Sequence, residues 1–458
     1  MIKTERLKIF QYLVFACSAV FLILYMYVVI SRLDYPFELE WIEGGMLQVV
    51  QRVIESKNIY VPPDIIYVPF LYPPVYFYVS AGVSLLLGPG FLPLRLVSFL
   101  ASLVSFFVIY KIVQEETKNG WAAFFATCLF AASYRVTGAW LDVARVDSLF
   151  LAFSLMGIYF ARGKESLTHA ILSGCFSALA LLTKQTALIL TVPLLIHLFL
   201  RNWKHALAFL GAAGILLIPF TIIMDQQTNG WYTYYVYELL GQQTEWLPLE
   251  FVAFWKNDLI LHLPIGILLS LFFLIDELGK NKKRFIMWVL ILAGAVVGSF
   301  LSRVKIGGYD NVLLPMFAAF CIIIGVGLPR LLNAIQGTSS HRFKAFIYLA
   351  CIIQLVILAY NPFAQIPREE DLSKGNQLVG YLSNLDGQVY LPDHGYLLSR
   401  AGKIAYAHHA AIWDVLRTEQ VTAGKEILST QLEWIIRSQV FDVIIMDEEG
   451  NFCCPEIE

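Results

Sequence analysis

Charged side chains are scarce in this chain. Asp, Glu, Lys and Arg make up 15% of its 458 residues, while hydrophobic residues make up 58%. An ordinary soluble protein has about a quarter of its residues charged, because its surface must stay in contact with water. The composition therefore excludes a soluble globular protein and predicts an all-α polytopic membrane protein.

The chain also lacks a basic excess and a cysteine framework. Its net charge is −2, and binding to nucleic acid would require a surplus of Lys and Arg, so no nucleic-acid partner is expected. Cysteines are few and lie mostly in apolar runs. The adjacent pair Cys453 and Cys454 has the spacing of neither a zinc site nor a disulfide framework.

Long apolar runs are abundant instead. About 20 apolar residues cross the hydrocarbon core as one helix, and these runs predict about eleven transmembrane helices. The first run has a basic start without a small-residue cleavage site, so we expect a retained helix and not a signal peptide. The predicted spans are 9–30, 94–113, 121–138, 147–162, 168–183, 186–200, 205–224, 259–275, 285–302, 310–328 and 343–360.

Lys and Arg gather in alternate loops between these runs. Positively charged loops stay in the cytoplasm, and all of them fall on one side if the N-terminus is cytoplasmic. These basic segments are 3–8, 162–164, 201–204, 280–284 and 330–344. We therefore expect an integral protein of the bacterial inner (plasma) membrane with a cytoplasmic N-terminus and an extracytoplasmic tail.

The apolar stretch 73–87 would reverse this alternation if it crossed the membrane. It is short, and Pro-Pro and Gly-Pro-Gly sequences bound it. We expect it to lie in the outer interface, and a short tilted span is the alternative. Residues 31–93 then form a first outer loop, in which 43–56 has the pattern of an amphipathic helix.

Two further outer segments follow from this topology. Residues 225–258 form a second large outer loop that is rich in Trp and Tyr. Residues 361–458 alternate short apolar strands with helical patterns, which predicts a small soluble α/β domain outside a transmembrane domain of residues 1–360. The expected strands are 388–391 and 440–446, and the expected helices are 371–385 and 418–438.

Ionisable residues from separate parts of the chain meet at the outer membrane boundary in this topology. Charges at that depth are costly and usually face a cavity or one another, so we expect an outward-facing cavity with acids and bases. They are Glu38, Glu40, Glu43, Asp142, Arg145, Asp147, Lys184, Arg303, Lys305 and Asp310. The plain alternatives are interfacial charges, a helix-starting acid at Glu43, and a structural ion pair among Asp142, Arg145 and Asp147.

Short motifs follow one another in a fixed order through residues 10–330. They are the acids of 38–43, the helix of 43–56, Tyr72-Pro73-Pro74, Arg95 at the start of a span, Arg145-Val146-Asp147, Lys184-Gln185, and the Gly-x-x-Asn-x-x-x-Pro pattern within 307–315. This order resembles a GT-C fold glycosyltransferase of the protein O-mannosyltransferase and lipid A aminoarabinose transferase superfamily. That family usually has Asp in its first acidic motif, where this chain has Glu, so the sequence does not identify which Glu acts as the base.

The resemblance implies a hexosyl or pentosyl transferase with a polyprenyl-phosphate-linked sugar donor. The acceptor would be a lipid, glycan or protein on the extracytoplasmic side. The reaction would be a base-assisted displacement with inversion at the anomeric carbon. Glu40 is the first choice for the base and Glu43 the second, and Asp147 is expected to orient the acceptor or to share the role of the base. The expected substrate- or phosphate-binding residues are Lys184, Arg303, Lys305, Arg145, Arg95 and Tyr72. The aromatic loop 225–258 is expected to stack on the sugar or to cover the site.

Three alternatives stay open at this point. No cofactor is expected, but a divalent metal is an alternative that would use His262 and the acids. His394, His408 and His409 of the tail are read as surface or capping residues, or else as part of acceptor docking. A transporter or flippase of a lipid-linked or small polar substrate is the main alternative function, and a membrane scaffold is another.

Overall fold

The computed structural model describes residues 2–243, 245–336 and 340–447. Helices account for almost all of the regular structure before the tail. They are α1 (Ile2–Arg32), α2 (Glu43–Ile54), α3 (Val75–Leu87), α4 (Phe91–Thr117), α5 (Gly120–Ala132), α6 (Asp147–Arg162), α7 (Leu167–Leu181), α8 (Ala187–Arg201), α9 (Trp203–Gln227), α10 (Pro264–Lys280), α11 (Lys282–Arg303), α12 (Leu314–Ala334) and α13 (Ser340–Ile357).

Each predicted span overlaps one of these helices, and α2 and α3 lie between the first two spans. The predicted span 121–138 is wrong beyond residue 132, where α5 ends and a non-helical segment begins. Within the described residues, six helices are long and apolar enough to cross a membrane, or seven if the segments Pro248–Ile260 and Pro264–Lys280, which bend by 84°, form one span. The count of about eleven spans therefore stays a prediction. Helix α5 has 13 residues, which at 1.5 Å per residue reach about 20 Å, less than the hydrocarbon thickness of about 30 Å.

A buried non-helical segment, 133–146, connects α5 to α6. Its backbone polar groups need partners because water cannot reach them. Arg32, at the end of α1, donates to the Asp142 carboxylate at 2.7 and 2.8 Å and to the Ala139 carbonyl at 2.8 Å. Tyr134 adds a bond of 2.6 Å to Asp142. Asp142 therefore supports this segment, which delivers Arg145 and Asp147 to the outer end of the helices.

Helix α12 lies at the centre of the helical bundle. In the most apolar stretch of this helix, 89% of the residues are buried. The helix packs against α4, α5, α10 and α11. Gly325 permits a close approach to α5 and α4, because a Cβ there would overlap the side chains of Ala126 and Val113. Small residues serve this purpose wherever helices pack closely in membranes.

The first outer loop contains the two helices α2 and α3. Helix α2 confirms the predicted amphipathic helix, and it buries Met46, Val49 and Val50. Helix α3 has 13 residues and exposes Leu85 and Leu86. Its placement in the membrane interface stays a prediction. The second outer loop consists of short helical segments at Trp231–Thr233, Tyr234–Glu238, Leu239–Gln242, Pro248–Ala253 and Phe254–Ile260.

The tail is an α/β unit with a minimal sheet. It contains the helices α14 (Glu369–Asn384), α15 (Gly395–Arg400), α16 (His409–Leu416) and α17 (Ala423–Arg437). Strands β1 (Val389–Tyr390) and β2 (Val443–Ile444) pair in parallel, with Val389 opposite Val443. The predicted strands are thus present but shortened. The tail shares one hydrophobic cluster with the first outer loop, and the domain boundary at 360–361 stays a prediction. Residues 448–458, with the pair Cys453 and Cys454, lie outside the described residues.

Candidate active site

A cavity of about 670 Å³ lies between the tail and the helix ends that carry Arg145, Lys184 and Asn311. The first outer loop, the segment before α6, the α7–α8 turn, the loop before α12 and helix α16 all contribute to its wall. Four cations line it, namely Arg145, Lys184, Lys305 and Arg417. Three of the charges predicted to meet, Arg145, Lys184 and Lys305, thus line a space large enough for a small ligand.

Glu43 lies behind the wall of the cavity and is completely buried. Its two oxygens accept Arg95 Nε and Nη2 at 3.0 and 2.6 Å, Leu39 N at 2.7 Å and Ala144 N at 2.6 Å. Burial raises the pKa of Glu43, but Arg95 and the backbone donors outweigh it and hold that pKa below its ordinary value. Glu43 is thus a paired structural carboxylate that joins α2 to α4 and to the segment before α6.

Arg95 is placed by the same contacts. Its guanidinium is fully buried and also donates to the carbonyls of Tyr35 and Phe37, at 2.6 Å each. These bonds use its donors inside the protein. Arg95 is not among the described residues that line the cavity, so the structure does not bring this predicted phosphate-binding residue to it.

Glu40 is held differently from Glu43. One of its oxygens, Oε2, accepts Arg145 Nη1 at 2.7 Å and Ile42 N at 3.2 Å. The other, Oε1, is buried and has no hydrogen-bond partner among the described residues. Burial raises the pKa of Glu40 above its ordinary value and outweighs the opposing effect of Arg145. A carboxylate with a raised pKa and a free oxygen is a good proton acceptor near neutral pH.

Arg145 connects Glu40 to the wall of the cavity. Its Nη2 donates to the Tyr72 hydroxyl at 2.9 Å, and its guanidinium lies 5.4 Å from the Trp140 ring centre. Both Arg145 and Tyr72 line the cavity. The first acidic motif, the aromatic-Pro-Pro motif and the Arg-x-Asp motif therefore meet at one point.

Asp147 brings the remaining motifs together. Lys184 Nζ donates to Asp147 Oδ1 at 2.6 Å, and Asn311 Nδ2 donates to the same oxygen at 2.9 Å. Asp147 Oδ2 is buried and without a partner in the part of the chain that the structure describes. Lys184 and Asn311 line the cavity. Asn311 belongs to the 307–315 motif, and its contact with Asp147 was not foreseen from the sequence.

A narrow recess extends from the region of Lys184 between α6, α8, α11 and α12. Phe150, Leu190 and Pro315 form apolar parts of its wall. Lys184 and Asn311 belong both to this recess and to the cavity. The recess has a volume of about 10 Å³, which is room for about one water-sized group beside Lys184.

The predicted phosphate-binding residues Arg303 and Lys305 differ in placement. Arg303 donates to Asp258 at 2.9 Å and to the Gly308 carbonyl at 2.8 Å, and it is absent from the described lining of the cavity. Lys305 lines the cavity, with Nζ 3.3 Å from the Gln243 carbonyl and 5.5 Å from the Trp246 ring centre. Lys305 is thus the member of this pair that a ligand reaches.

Helix α16 of the tail supplies residues to the cavity, and His409 is the one of them that the sequence singled out. His409, Trp413 and Asp414 line the cavity, as does Arg417 just after the helix. Arg417 Nη2 donates to Asp414 at 2.7 Å and to Gln243 at 2.6 Å, which joins the tail to the second outer loop. The His408-His409 pair was the one signal in this part of the sequence.

The aromatic residues of the cavity come mainly from elsewhere than the second outer loop. The lining aromatic side chains are Trp41, Phe70, Tyr72, Tyr309 and Trp413. From 225–258, the described lining residues are Leu240 and Gln243. The Trp and Tyr residues of this loop are thus absent from the described lining, and the expectation that the loop stacks on the sugar or covers the site stays a prediction.

No group of three or more His, Cys, Asp or Glu side chains among the described residues has the arrangement of a metal site. His262 Nδ1 lies 2.6 Å from the Asn257 carbonyl within its own loop. A divalent metal stays an open alternative.

Comparison with known proteins supports the resemblance. A family model described as dolichyl-phosphate-mannose-protein mannosyltransferase matches residues 72–224. That range begins at the aromatic-Pro-Pro motif and includes Arg145, Asp147 and Lys184. A comparison with curated protein sequences found no match.

Solved structures are similar over nearly the whole chain. ArnT from Cupriavidus metallidurans in the apo state is 13% identical with a TM-score of 0.60, covering 92% of this chain and 88% of that one. The same protein bound to undecaprenyl phosphate is 12% identical with a TM-score of 0.61, covering 93% and 89%. An Archaeoglobus fulgidus oligosaccharyltransferase in complex with Zn and sulfate is 11% identical with a TM-score of 0.52, covering 90% and 66%. The predicted GT-C fold of an integral membrane protein is confirmed.

Proposed function

We propose that this chain, which has a GT-C fold, is a membrane glycosyltransferase of the protein O-mannosyltransferase and aminoarabinose transferase superfamily that uses a polyprenyl-phosphate-linked sugar. It transfers the sugar to an acceptor on the extracytoplasmic side, with the N-terminus in the cytoplasm of a bacterial cell. The family match over 72–224 and the binding of undecaprenyl phosphate by the similar ArnT support this donor class.

One observation carries the proposal. Two cations that line the cavity, Arg145 and Lys184, are each paired with a buried carboxylate, Glu40 or Asp147. Each carboxylate keeps one oxygen without a partner among the residues described. A sugar phosphate ester reacting with a hydroxyl needs cations for the leaving phosphate and a base for the hydroxyl proton. The two cations line the cavity, and Glu40 and Asp147 lie directly behind them, absent from its described lining, so both kinds of group are adjacent.

Glu40 is the base in this mechanism. It takes the proton of the acceptor hydroxyl while the acceptor oxygen attacks the anomeric carbon from the face opposite the phosphate. The bond from that carbon to the phosphate oxygen breaks, the configuration inverts, and polyprenyl phosphate leaves. General-base assistance of this kind contributes about 10²–10⁴-fold to the rate.

The donor phosphate competes with the two carboxylates for their cations. Arg145 releases Glu40 as it turns toward the phosphate, so binding of the donor also frees the base. Lys184 holds the phosphate, and the polyprenyl chain leads from there into the bilayer. Asp147 and Asn311 position Lys184, and the free Asp147 oxygen orients the acceptor hydroxyl.

The acceptor enters from the side of helix α16. Trp413 there is 38% exposed, and the planar groups of Asp414, Arg417 and Gln243 are bonded in a row along the wall. Aromatic and planar polar groups together suit a polar acceptor whose orientation must be fixed. Glu43 and Arg95 have structural roles in this proposal, and Arg303 supports the loop before α12 through Asp258 and Gly308.

The test is a transfer assay on the purified full chain in lipid nanodiscs. Radiolabelled polyprenyl-phosphate hexoses and pentoses serve as donors, and delipidated membrane extract serves as the acceptor source. We expect label transfer by the wild type, a loss of about 10²–10⁴-fold in Glu40→Gln, and unchanged transfer in Glu55→Gln. Glu55 is a matched control because it is an exposed acid just after α2, paired with Lys57. Full transfer by folded Glu40→Gln contradicts the assignment of the base.

A further inference from the structure

Side chains of the tail contact the backbone of the acidic segment in the first outer loop. These contacts are Arg400 Nη1 to the Pro36 carbonyl, Glu38 N to the Tyr396 hydroxyl at 3.2 Å, and His408 Nε2 to the Trp41 carbonyl at 2.9 Å. Ala410 N donates to the other ring nitrogen of His408 at 3.0 Å, so that ring is a neutral donor to Trp41. Residues 36–41 are therefore held from outside by the tail.

A line of polar contacts begins at the tail and ends at helix α2. Asp447 Oδ2 lies 2.9 Å from His394 Nε2, and His394 Nδ1 contacts Glu38 Oε2. Glu38 Oε1 accepts the backbone N–H of Gly44 at 2.6 Å. Only glycine fits at position 44, because a Cβ there would overlap both the Glu38 carboxylate and the Tyr396 ring.

Glu40 lies inside the turn that the hydrogen bond between Glu38 and Gly44 closes. Glu38 stands before the turn and Gly44 after it, and their hydrogen bond spans the segment between them. Within the turn, Glu43 N donates to the Glu40 carbonyl at 2.9 Å, and Ile42 N donates to Glu40 Oε2 at 3.2 Å. A displacement of Glu38 therefore shifts the backbone that carries Glu40.

We propose that His394 is a positioning residue for Glu40, acting through Glu38 and the turn that ends at Gly44. The tail is then part of the catalytic machinery without carrying the base. This inference rests on the proposed function of Glu40 and goes beyond it, since it gives the tail a role in the rate of the chemical step. Misplacement of a reacting group by about 1 Å costs about 100-fold in rate.

The ionisation of the pair gives a measurable signature. Burial opposes the charge on His394, but Glu38 and Asp447 together raise its pKa to about 9, and burial raises the pKa of Glu38 to about 7. The imidazolium–carboxylate bond therefore persists between about pH 7 and 9 and is lost above pH 9, when His394 releases its proton. The other charged or titratable groups that face this pair are Glu43 on the first loop and Asp393, Tyr396, Arg400, His408 and His409 on the tail.

The experiment compares His394→Ala, His394→Gln and the control Arg437→Ala in the full chain. Arg437 lies on α17 with its side chain 82% exposed. We expect His394→Ala to lower kcat by about 10–100-fold with the donor KM unchanged. His394→Gln keeps a donor for Glu38, so it should recover most of kcat at pH 7.5 and lose the decline in rate near pH 9 that the wild type shows. Arg437→Ala should match the wild type.

A second measurement does not depend on the chemistry. Hydrogen exchange by mass spectrometry on a peptide covering 36–46 should be faster in His394→Ala, because the bonds to Ile42 N and Gly44 N open more often. If His394→Ala has the kcat and the exchange rate of the wild type while Glu40→Gln is inactive, the role of His394 is overturned and the proposed function still stands. Full activity of Glu40→Gln refutes the proposed function itself. If His394→Ala does not fold, a wild-type alkaline decline in His394→Gln overturns the inference.

Discussion

A substitution in the buried pair of Glu43 and Arg95 tests whether Glu43 is a structural or a catalytic acid. Both side chains are 0% exposed, and the Glu43 carboxylate accepts four donors at 2.6–3.0 Å. Glu43→Gln removes the counter-charge and leaves the Arg95 guanidinium buried without one. Removing one partner of a buried pair costs about 3–5 kcal/mol of stability.

The assay is thermal denaturation of the purified protein in one detergent, for Glu43→Gln, Glu40→Gln and the exposed control Glu55→Gln. We expect the largest decrease in midpoint for Glu43→Gln, a smaller decrease for Glu40→Gln, whose carboxylate accepts only two donors, and a wild-type midpoint for Glu55→Gln. The pKa of Glu43 is lowered in the folded state, so the stability from this pair is present above the ordinary pKa of 4.5 and is lost as pH falls below it. A wild-type midpoint in Glu43→Gln together with abolished transfer refutes this reasoning and makes Glu43 the base.

Three further outcomes follow from the same contacts. Burial raises the pKa of Glu40, and Glu40 must be ionised to act as the base. As the pH is lowered, kcat/KM should therefore begin to decline at a pH above 4.5. A decline that begins only at or below pH 4.5 contradicts this assignment. Lys184→Gln should weaken polyprenyl phosphate binding by about 10–100-fold in equilibrium titration, since a hydrogen bond to a charged group contributes about 1.5–3 kcal/mol; unchanged affinity removes Lys184 from the phosphate site. A cysteine at Gly88, after α3, should react with a membrane-impermeant thiol reagent from the extracytoplasmic side, and labelling only from the cytoplasm reverses the predicted topology.

The sequence predicts the helices well because span length and charge distribution are local properties. Pro-Pro before α3 and Asn-capped starts such as Asn281 before α11 are visible in the residues themselves. The motif residues Arg145, Asp147 and Lys184 also meet as expected, since their spacing places them all at the same ends of neighbouring helices.

The different roles of these residues follow from contacts that only the folded structure shows. Glu40 and Glu43 are alike in sequence, and they differ because Arg95 of α4 and Ala144 N reach Glu43 and not Glu40. The tail's part in the cavity depends on how α16 packs against the first outer loop, which no local pattern records. Its strands are only two residues long each, so even their pairing is decided by tertiary packing.

The most direct test of the central claim is sugar transfer by the purified protein from a polyprenyl-phosphate donor, with product stereochemistry determined by NMR. We predict that the wild type forms a glycoside of inverted configuration and releases polyprenyl phosphate, and that folded Glu40→Gln does so about 10²–10⁴-fold more slowly. Absence of donor consumption by the wild type across the hexose and pentose donors, or an undiminished rate in Glu40→Gln, contradicts the account.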